Sequence, residues 1–228
     1  MDTLLIFLII LIPLLAQIKI TSSYNKYKKE KNICNLTGQE VARKILDENG
    51  LNNIHIVEIN GELTDHYDSE RKVIRLSADI FHGNTLAAAA VAAHECGHAI
   101  QYKEGYVPIK IRNMLVPFVN FGSSLGYYVI IASLVFSSFK HLFIVGLIMV
   151  SLALIFQLVT LPVEFDASRR ANKILLEMGI VSEGEHDGTK AMLKAAAFTY
   201  VAGLVSAIAS TIFQVLRLTY IFGGRDND

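Results

Sequence analysis

The clearest pattern along the chain is a series of long stretches that contain almost no charged residue. About 20 apolar residues are enough to cross a bilayer as a helix, and residues 114–136, 142–161 and 195–216 each reach that length. Residues 4–18 form a shorter apolar stretch without the basic start and cleavage site of a signal peptide, which favours an uncleaved anchor that spans the membrane or nearly does so. The pattern predicts a polytopic, mainly α-helical membrane protein.

Two features of these stretches predict how they pack. The first two long stretches are joined by residues 137–141 alone, so they are expected to form a helical hairpin. The third carries small residues at helical spacing, among them Ala202, Gly203, Ser206 and Ser210. Because small residues let helices approach closely, this face is predicted to pack against protein rather than lipid.

Basic residues cluster on one side of the predicted spans. Cytoplasmic loops of membrane proteins carry an excess of Lys and Arg, whereas the hairpin loop holds only Lys140. The polar segments that hold the other clusters are therefore predicted to face the cytoplasm. The expected order is an N-terminal membrane anchor (1–20), a cytoplasmic domain (21–113), a transmembrane hairpin (114–161), a cytoplasmic helical segment (162–194), and a last transmembrane helix with its tail (195–228).

Two helices are predicted in the polar part of the chain. Thr37 and Glu40 have the spacing of a capping box and open a helix that Gly50 closes. An Ala-rich helix runs over residues 85–104, with Asn84 as its expected cap. Together with the strands between them, these helices predict a cytoplasmic α+β domain.

Three strands are predicted between the two helices, over residues 54–59, 62–67 and 72–76, from their alternating and β-branched residues. Asn60 and Gly61 form a strong hairpin signal, so the small sheet is expected to be antiparallel. The third strand is expected at the sheet edge, where an extended polypeptide can add as a further strand.

Composition narrows the class of protein. Of the 228 residues, 52% are hydrophobic and 18% are charged, whereas a soluble domain carries about 25% charged residues. The 21 Lys and Arg balance 21 Asp and Glu, which argues against a nucleic-acid binder because such proteins have a basic excess. Two cysteines, Cys34 and Cys96, cannot form a disulfide framework. The composition supports a small integral membrane protein with one polar domain.

The Ala-rich helix contains an HExxH motif, His-Glu-Cys-Gly-His, at residues 94–98. Residues i and i+4 lie about 40° apart on a helix, so His94 and His98 face one point and can hold one Zn²⁺. Glu95 points to the neighbouring face, where it is placed to take a proton from the attacking water. Cys96 faces away, about 200° round the helix from His94, and is expected to be a packed thiol.

A catalytic zinc site needs a third protein ligand, which the remaining histidines, cysteines or carboxylates must supply. Glu164 stands out, because Pro162 is expected to end the preceding span and to start a helix at the membrane surface. A carboxylate without a partner at that place is costly. The alternative is a solvated acid at the helix start, where the helix dipole favours it.

Three segments, LTDHYDSERKVIRLS, VAAHECGHAIQ and LPVEFDASRRA, carry a resemblance to a known family. Together they resemble the neutral zinc metallopeptidases of bacterial membranes, the YugP-like family, from about residue 52 to the C-terminus. More distantly, the chain is similar to the membrane gluzincins, the HtpX-like and prenyl-protein endopeptidases. The resemblance implies a gluzincin-like domain, Zn²⁺ as the cofactor, and His94, His98 and Glu164 as its ligands. It also implies Glu95 as the general base.

The implied peptide hydrolysis needs groups beyond the metal ligands. In the distant relatives an Asp four residues after the third ligand supports the site; here that position is Ser168, and the nearest acid is Asp166. A developing oxyanion needs a further hydrogen-bond donor, for which Tyr200, Arg169 and His66 are the candidates. An interfacial tyrosine and a surface imidazole are the alternatives for the first and the last.

The motifs predict a membrane-embedded zinc endopeptidase that cuts membrane or misfolded proteins at the cytoplasmic face of a bacterial cell membrane. Its expected partners are polypeptide substrates and membrane lipid, without nucleic acid. The alternative is a non-catalytic zinc-binding membrane scaffold or chaperone. A structural zinc is normally closed by four protein ligands, and three ligands with a base favour the enzyme. A transporter is disfavoured because residues 114–136 and 142–161 contain no Asp, Glu, Lys, Arg or His.

Overall fold

The structure, a computed structural model, describes residues 2–136 and 141–223. Most of the predicted hairpin link, residues 137–140, and the end of the predicted tail, residues 224–228, lie outside the described residues. Within the described part the elements are α1 (Asp2–Tyr27), α2 (Gly38–Glu48), β1 (His55–Ile59), β2 (His66–Asp68), β3 (Val73–Ser77), α3 (Ala78–Phe81), α4 (Leu86–Lys103), α5 (Val107–Val135), α6 (Leu142–Glu177) and α7 (Glu183–Gly223).

The chain divides into two compact units. The helical unit contains Met1–Ala16, Pro108–Leu161 and Thr199–Asp228, and the α+β unit contains Gln17–Val107 and Pro162–Phe198. The long helices α1, α6 and α7 each contribute one section to either unit. Each of these helices therefore has one apolar section and one polar section.

Four of the helices in the described part are long and apolar enough to cross a membrane, and they are α1, α5, α6 and α7. Helix α1 is 26 residues long, so the N-terminal segment reaches the length of a full span, which the apolar stretch over residues 4–18 alone does not. All four helices extend beyond the predicted apolar stretches, because their polar sections continue in the same helix. The prediction of a multi-pass helical protein is confirmed.

The prediction that Pro162 ends a span and starts a new helix is wrong. Helix α6 runs without interruption from Leu142 to Glu177 with Pro162 inside it. A proline removes one backbone hydrogen bond and crowds the preceding turn, but burial of the following section offsets that loss. Val163, Ala167 and Ala171 are completely buried, at the four-residue spacing of one helical face.

Within the helical unit, small residues allow close helix contacts. A methyl group on Gly126 of α5 would lie 3.0 Å from the carbonyl oxygen of Gly146 on α6, so the predicted helical hairpin packs backbone against backbone. On α7, a methyl group on Gly203 would meet the side chain of Gln157 at 3.1 Å. The Ser206 hydroxyl donates to the Ile9 carbonyl of α1 at 3.3 Å. The predicted packing of this face against protein is confirmed.

The core of the α+β unit is built on helix α4, in whose first half every alanine is completely buried. Helix α2 packs beside it through Val41, Ala42 and Ile45, which are also completely buried, and it begins with the predicted capping box. The cap of α4 is Thr85 and not the predicted Asn84, because the Thr85 hydroxyl accepts from the Ala88 N–H at 3.2 Å. The structure adds the short helix α3, which the sequence pattern did not predict.

The sheet is mixed, and the prediction of an antiparallel sheet is wrong. The strand order is β1-β3-β2, with β1 parallel and β2 antiparallel to β3. Strand β3 takes the centre because its residues are the most buried of the three strands. The Asp65 carboxylate accepts from the Ser77 N–H at 2.7 Å, which holds the start of β2 against the end of β3. Since β3 pairs on both sides, it is not the edge that was expected to accept a polypeptide.

Candidate metal centre

The HExxH residues lie on the buried helix α4 as the spacing predicted. The imidazole rings of His94 and His98 meet edge to face, with their centroids 4.7 Å apart. Between them, Gly97 faces α6, and a methyl group there would lie 2.8 Å from the carbonyl oxygen of Ala167. The missing side chain of Gly97 therefore lets α6 approach the two histidines closely.

Glu164 of α6 completes a cluster of three potential ligands. Its Oε2 lies 3.2 Å from His94 Nε2 and 3.6 Å from His98 Nε2, and the ligand atoms of all three residues lie within 4.8 Å of one another. Glu164 is only 1% exposed, so the alternative of a solvated acid at a helix start is contradicted. Two distant parts of the sequence thus converge on one buried point.

The donor set fits zinc in chemistry and in spacing. Zinc binds imidazole nitrogen and carboxylate oxygen at about 2.0–2.2 Å, and a tetrahedral site places its ligand atoms about 3.3–3.6 Å apart. The distances from Glu164 to the two imidazoles, 3.2 and 3.6 Å, match that separation. Two histidines and one carboxylate leave a fourth position open, as in catalytic rather than structural zinc sites.

Each histidine ring contacts a second polar group through its other nitrogen. The Ser168 hydroxyl lies 3.3 Å from His94 Nδ1, and Gln101 Oε1 lies 3.0 Å from His98 Nδ1. Because Gln101 Oε1 can only accept, the Nδ1 of His98 carries the proton and its Nε2 keeps a lone pair for a metal. Such partners fix the ring orientation of metal-binding histidines.

Gln101 is itself held rigidly between the two helices of the site. It is completely buried, and its Nε2 donates to the Val163 carbonyl at 2.8 Å and to Asp166 Oδ2 at 2.9 Å. These two acceptors fix which end of the amide faces His98. Gln101 therefore links the orientation of His98 to the backbone beside Glu164.

The network continues through Asp166, which is 6% exposed. Its carboxylate accepts from Arg169 and from Arg170 Nε at 2.6 Å, and Arg170 also pairs with Glu104 Oε2 at 2.7 Å. The sequence singled out Asp166 as a supporting residue, and the structure shows that it holds Gln101 rather than a histidine ring. Arg169, a predicted oxyanion donor, is 78% exposed and pairs with Asp166.

Sequence reasoning missed Gln101 and Arg170. Gln101 follows His98 by three residues on the same helix face, a spacing at which side chains meet, so a search for polar residues at that offset would have found it. Arg170 depends on contacts with Glu104, far away in sequence, for which no local pattern gives a signal.

Glu95, the predicted general base, is 7% exposed on the same helix. Within the described residues its carboxylate makes no hydrogen bond or ion pair, so it is available to a water molecule. Its negative charge acts on the neighbouring ligand, His98. Burial lowers the pKa of His98, but the close Glu164 carboxylate, together with the charge of Glu95, outweighs burial and holds that pKa above its usual value.

His66, Tyr200 and Cys96 are the remaining residues that the sequence singled out. His66 is exposed at the start of β2, and its Nδ1 lies 2.8 Å from the Thr64 carbonyl oxygen, as expected of a surface imidazole. Tyr200 is half-buried on α7 in the helical unit. Cys96 is completely buried, and burial raises the pKa of its thiol. It is therefore a packed thiol, as predicted, and not a ligand.

Comparison with known proteins agrees with this donor set. The family model described as "Putative neutral zinc metallopeptidase" matches residues 3–222. The chain belongs to this family. It is also 41% identical over 214 residues to the "Putative membrane protease YugP" of Bacillus subtilis (strain 168), with 93% of each chain covered. No solved structure matches the chain.

The family match confirms the resemblance that the three sequence segments predicted. With the four long apolar helices it identifies the protein as a multi-pass membrane zinc metallopeptidase. Zinc is therefore its cofactor, and polypeptides are its class of substrate. The more distant similarity to the HtpX-like enzymes stays a prediction.

Proposed function

We propose that the protein is a gluzincin-type endopeptidase that cuts membrane or misfolded proteins at the cytoplasmic face of the bacterial cell membrane. The observation that carries the proposal is the cluster of His94, His98 and Glu164 beside the buried carboxylate of Glu95, which makes no hydrogen bond or ion pair with any described residue. The cytoplasmic side is supported by the basic residues of the polar segments.

The residues of the site divide the work of peptide hydrolysis. Bound zinc supplies Lewis-acid chemistry, which lowers the pKa of a water towards about 7 and polarises the scissile carbonyl. Glu95 takes the proton from the attacking water and passes it to the nitrogen of the leaving amine. Gln101 and Ser168 keep the two imidazoles oriented, so that the ligand geometry is set before substrate arrives.

The oxyanion that develops on the substrate needs a donor, and we propose Tyr200, Arg169 and His66 as candidates. The contact of Arg169 with Asp166 holds its guanidinium in the α+β unit near the metal-binding section of α6. Replacing each in turn, as Tyr200→Phe, Arg169→Gln and His66→Gln, separates them. The true donor is the one whose loss lowers kcat about 100-fold or more with unchanged zinc content.

A non-catalytic zinc scaffold or chaperone is the second candidate function. A structural zinc site is normally closed by four protein ligands, whereas the cluster found in the described residues has three. A scaffold also has no need of a buried carboxylate next to the ligands that finds no partner among the residues the structure describes. Both observations support the enzyme.

The test compares zinc content and cleavage of unfolded casein for wild type, Glu95→Gln and the control Glu48→Gln. Glu48 is an exposed glutamate on α2, so its replacement leaves the site intact. All three proteins are expected to hold about one zinc per chain. Glu95→Gln is expected to lower kcat by a factor of about 100–10,000, and the control is expected to match wild type.

Two results would contradict the proposal. Cleavage by Glu95→Gln at the wild-type rate would remove Glu95 as the base. Zinc-loaded wild type that cuts neither casein nor any of a panel of membrane-protein fragments would favour the scaffold.

A further inference from the structure

A groove of about 510 Å³ lies between the polar sections of α6 and α7, within the α+β unit. One stripe of each helix lines it, at the three- and four-residue spacing of a single helix face. The groove shares Ser168 and Arg169 with the metal centre and its supporting network. Its character is set by Phe165, Arg169 and Lys173 of α6 and by Lys190, Lys194 and Ala197 of α7.

The groove carries an excess of positive charge. Lys173 lies 3.7 Å from Glu177, the one acid in the lining, and Arg169 pairs with Asp166. Lys190 and Lys194 are exposed on successive turns of α7, and neither forms an ion pair within the part of the chain that the structure describes. These two ammonium groups are free to bind an anion.

The lining of the groove changes from apolar to basic along its length, just as a phospholipid changes from apolar acyl chains to a charged headgroup. Its end nearest the apolar sections is lined by Phe165 and Ala197, followed by Arg169 and Lys194, and then by Lys173 and Lys190. At 1.5 Å per residue, Lys190 lies only about 7 Å before the apolar stretch of α7 begins at residue 195. The headgroup layer of a bilayer is about 5–8 Å deep on each side, and long lysine side chains reach along it.

We propose that this groove binds one anionic phospholipid of the surrounding membrane. Its phosphate would contact Lys190 and Lys194, and the start of its acyl chains would lie along Phe165 and Ala197. An acidic polypeptide would satisfy the charges, but it would not match the change from apolar to basic along the groove. The site requires membrane insertion and does not depend on catalysis.

The experiment measures the thermal unfolding midpoint of the purified full-length protein in detergent with added short-chain phosphatidylglycerol. Phosphatidylcholine, inorganic phosphate and an acidic peptide are the comparison ligands. Phosphatidylglycerol at about 100 times its Kd is expected to raise the midpoint by roughly 5–10 °C. The three comparison ligands are expected to raise it by less than a quarter of that.

One double variant and one control connect the shift to the groove. Lys190→Gln with Lys194→Gln is expected to weaken phosphatidylglycerol binding at least tenfold. The control, Lys44→Gln with Lys72→Gln, removes two exposed lysines elsewhere in the α+β unit and is expected to keep the full shift.

The proposal is overturned if phosphatidylcholine stabilises the protein as much as phosphatidylglycerol, or if the double lysine variant keeps the full shift. It is also overturned if inorganic phosphate alone gives the same shift, which would indicate a simple anion site. Stabilisation by the acidic peptide and not by the lipid would assign the groove to polypeptide instead.

Discussion

His98 and its contacts show how single residues prepare the metal centre. Gln101 accepts from His98 Nδ1 and donates to the Val163 carbonyl and to Asp166, so one buried amide fixes both a ligand ring and the neighbourhood of Glu164. Supporting groups of this kind typically contribute a factor of 10–100 in metal affinity or activity.

Gln101→Leu is therefore expected to weaken zinc binding about 10–100-fold, because the His98 ring loses its acceptor while the volume of the side chain is kept. Competition with a zinc-chelating dye measures this directly on the purified protein. Gln39→Leu, at an exposed position of α2, is the matched control and is expected to bind zinc like wild type. Unchanged zinc affinity in Gln101→Leu would show that the ring needs no such support.

At the scale of single residues, the sequence predicted the metal ligands but not the residues that hold those ligands in place. His94, Glu95 and His98 lie within one helical turn or so, and a local motif is enough to recognise them. Glu164 was found from its place after an apolar stretch and from the family resemblance. Gln101, Ser168 and Arg170 act through contacts between α4 and α6, which depend on how two helices far apart in sequence meet.

At the scale of elements, the centre depends on the close approach of α4 and α6. Gly97 provides it, since a methyl group there would lie 2.8 Å from the Ala167 carbonyl oxygen, too close for an ordinary contact. The polar section of α6 is completely buried at Val163, Ala167 and Ala171, so neither helix has room to shift.

Gly97→Ala is expected to destabilise the protein by about 1–3 kcal/mol and to lower zinc affinity, because it pushes Glu164 away from the histidines. Thermal unfolding and zinc titration of the purified variant measure the two effects. Gly184→Ala is the control, because no atom lies within 4 Å of the methyl group it adds. If Gly97→Ala unfolds and binds zinc as wild type does, the close helix contact is not required.

The capping box of α2 gives a pH-dependent prediction. Hydrogen bonds from the Thr37 N–H and hydroxyl hold the pKa of Glu40 below its usual value, so its contribution to stability is fully present above that usual value and is lost as pH falls through the lowered one. Glu40→Gln is expected to unfold at a lower temperature than wild type at pH 7, by a small margin. That margin is expected to shrink in acid, below about pH 4.3.

Unfolding midpoints measured at several pH values for wild type and Glu40→Gln test this. A margin that is constant across the pH range, or that grows in acid, would contradict the assignment.

Element types were predicted better than element ends and pairings. Long apolar stretches indicated the four long helices, but not that α6 passes through Pro162 into its metal-binding section. The first and third strands were located from alternation, but the second lies at His66–Asp68 instead of residues 62–67, and the strand order was not predicted. The hairpin signal at Asn60 and Gly61 is only local. Burial of β3 in the middle of the sheet and the hydrogen bond from the Ser77 N–H to Asp65 outweigh it.

At the scale of the whole molecule, cleavage at the cytoplasmic face requires that residues 21–113 and 162–194 both lie in the cytoplasm. The two cysteines report on this, because Cys34 is exposed and Cys96 is buried. A maleimide that does not cross membranes is expected to leave intact cells unlabelled and to label one cysteine, Cys34, after permeabilisation.

The variant His141→Cys in a Cys34→Ser background is a matched probe for the opposite side. Residue 141 directly precedes α6 and is exposed. This cysteine is expected to react in intact cells. Labelling of Cys34 in intact cells, or labelling of residue 141 only after permeabilisation, would reverse the proposed orientation.

The central claim is that zinc is held by His94, His98 and Glu164 with a fourth position open for reaction. X-ray absorption at the zinc edge of the purified full-length protein tests it most directly. The metal is expected to be four-coordinate, with two imidazoles and only nitrogen and oxygen neighbours at about 2.0–2.1 Å. A sulfur neighbour at about 2.3 Å, a third imidazole, or a protein that holds no zinc would contradict it.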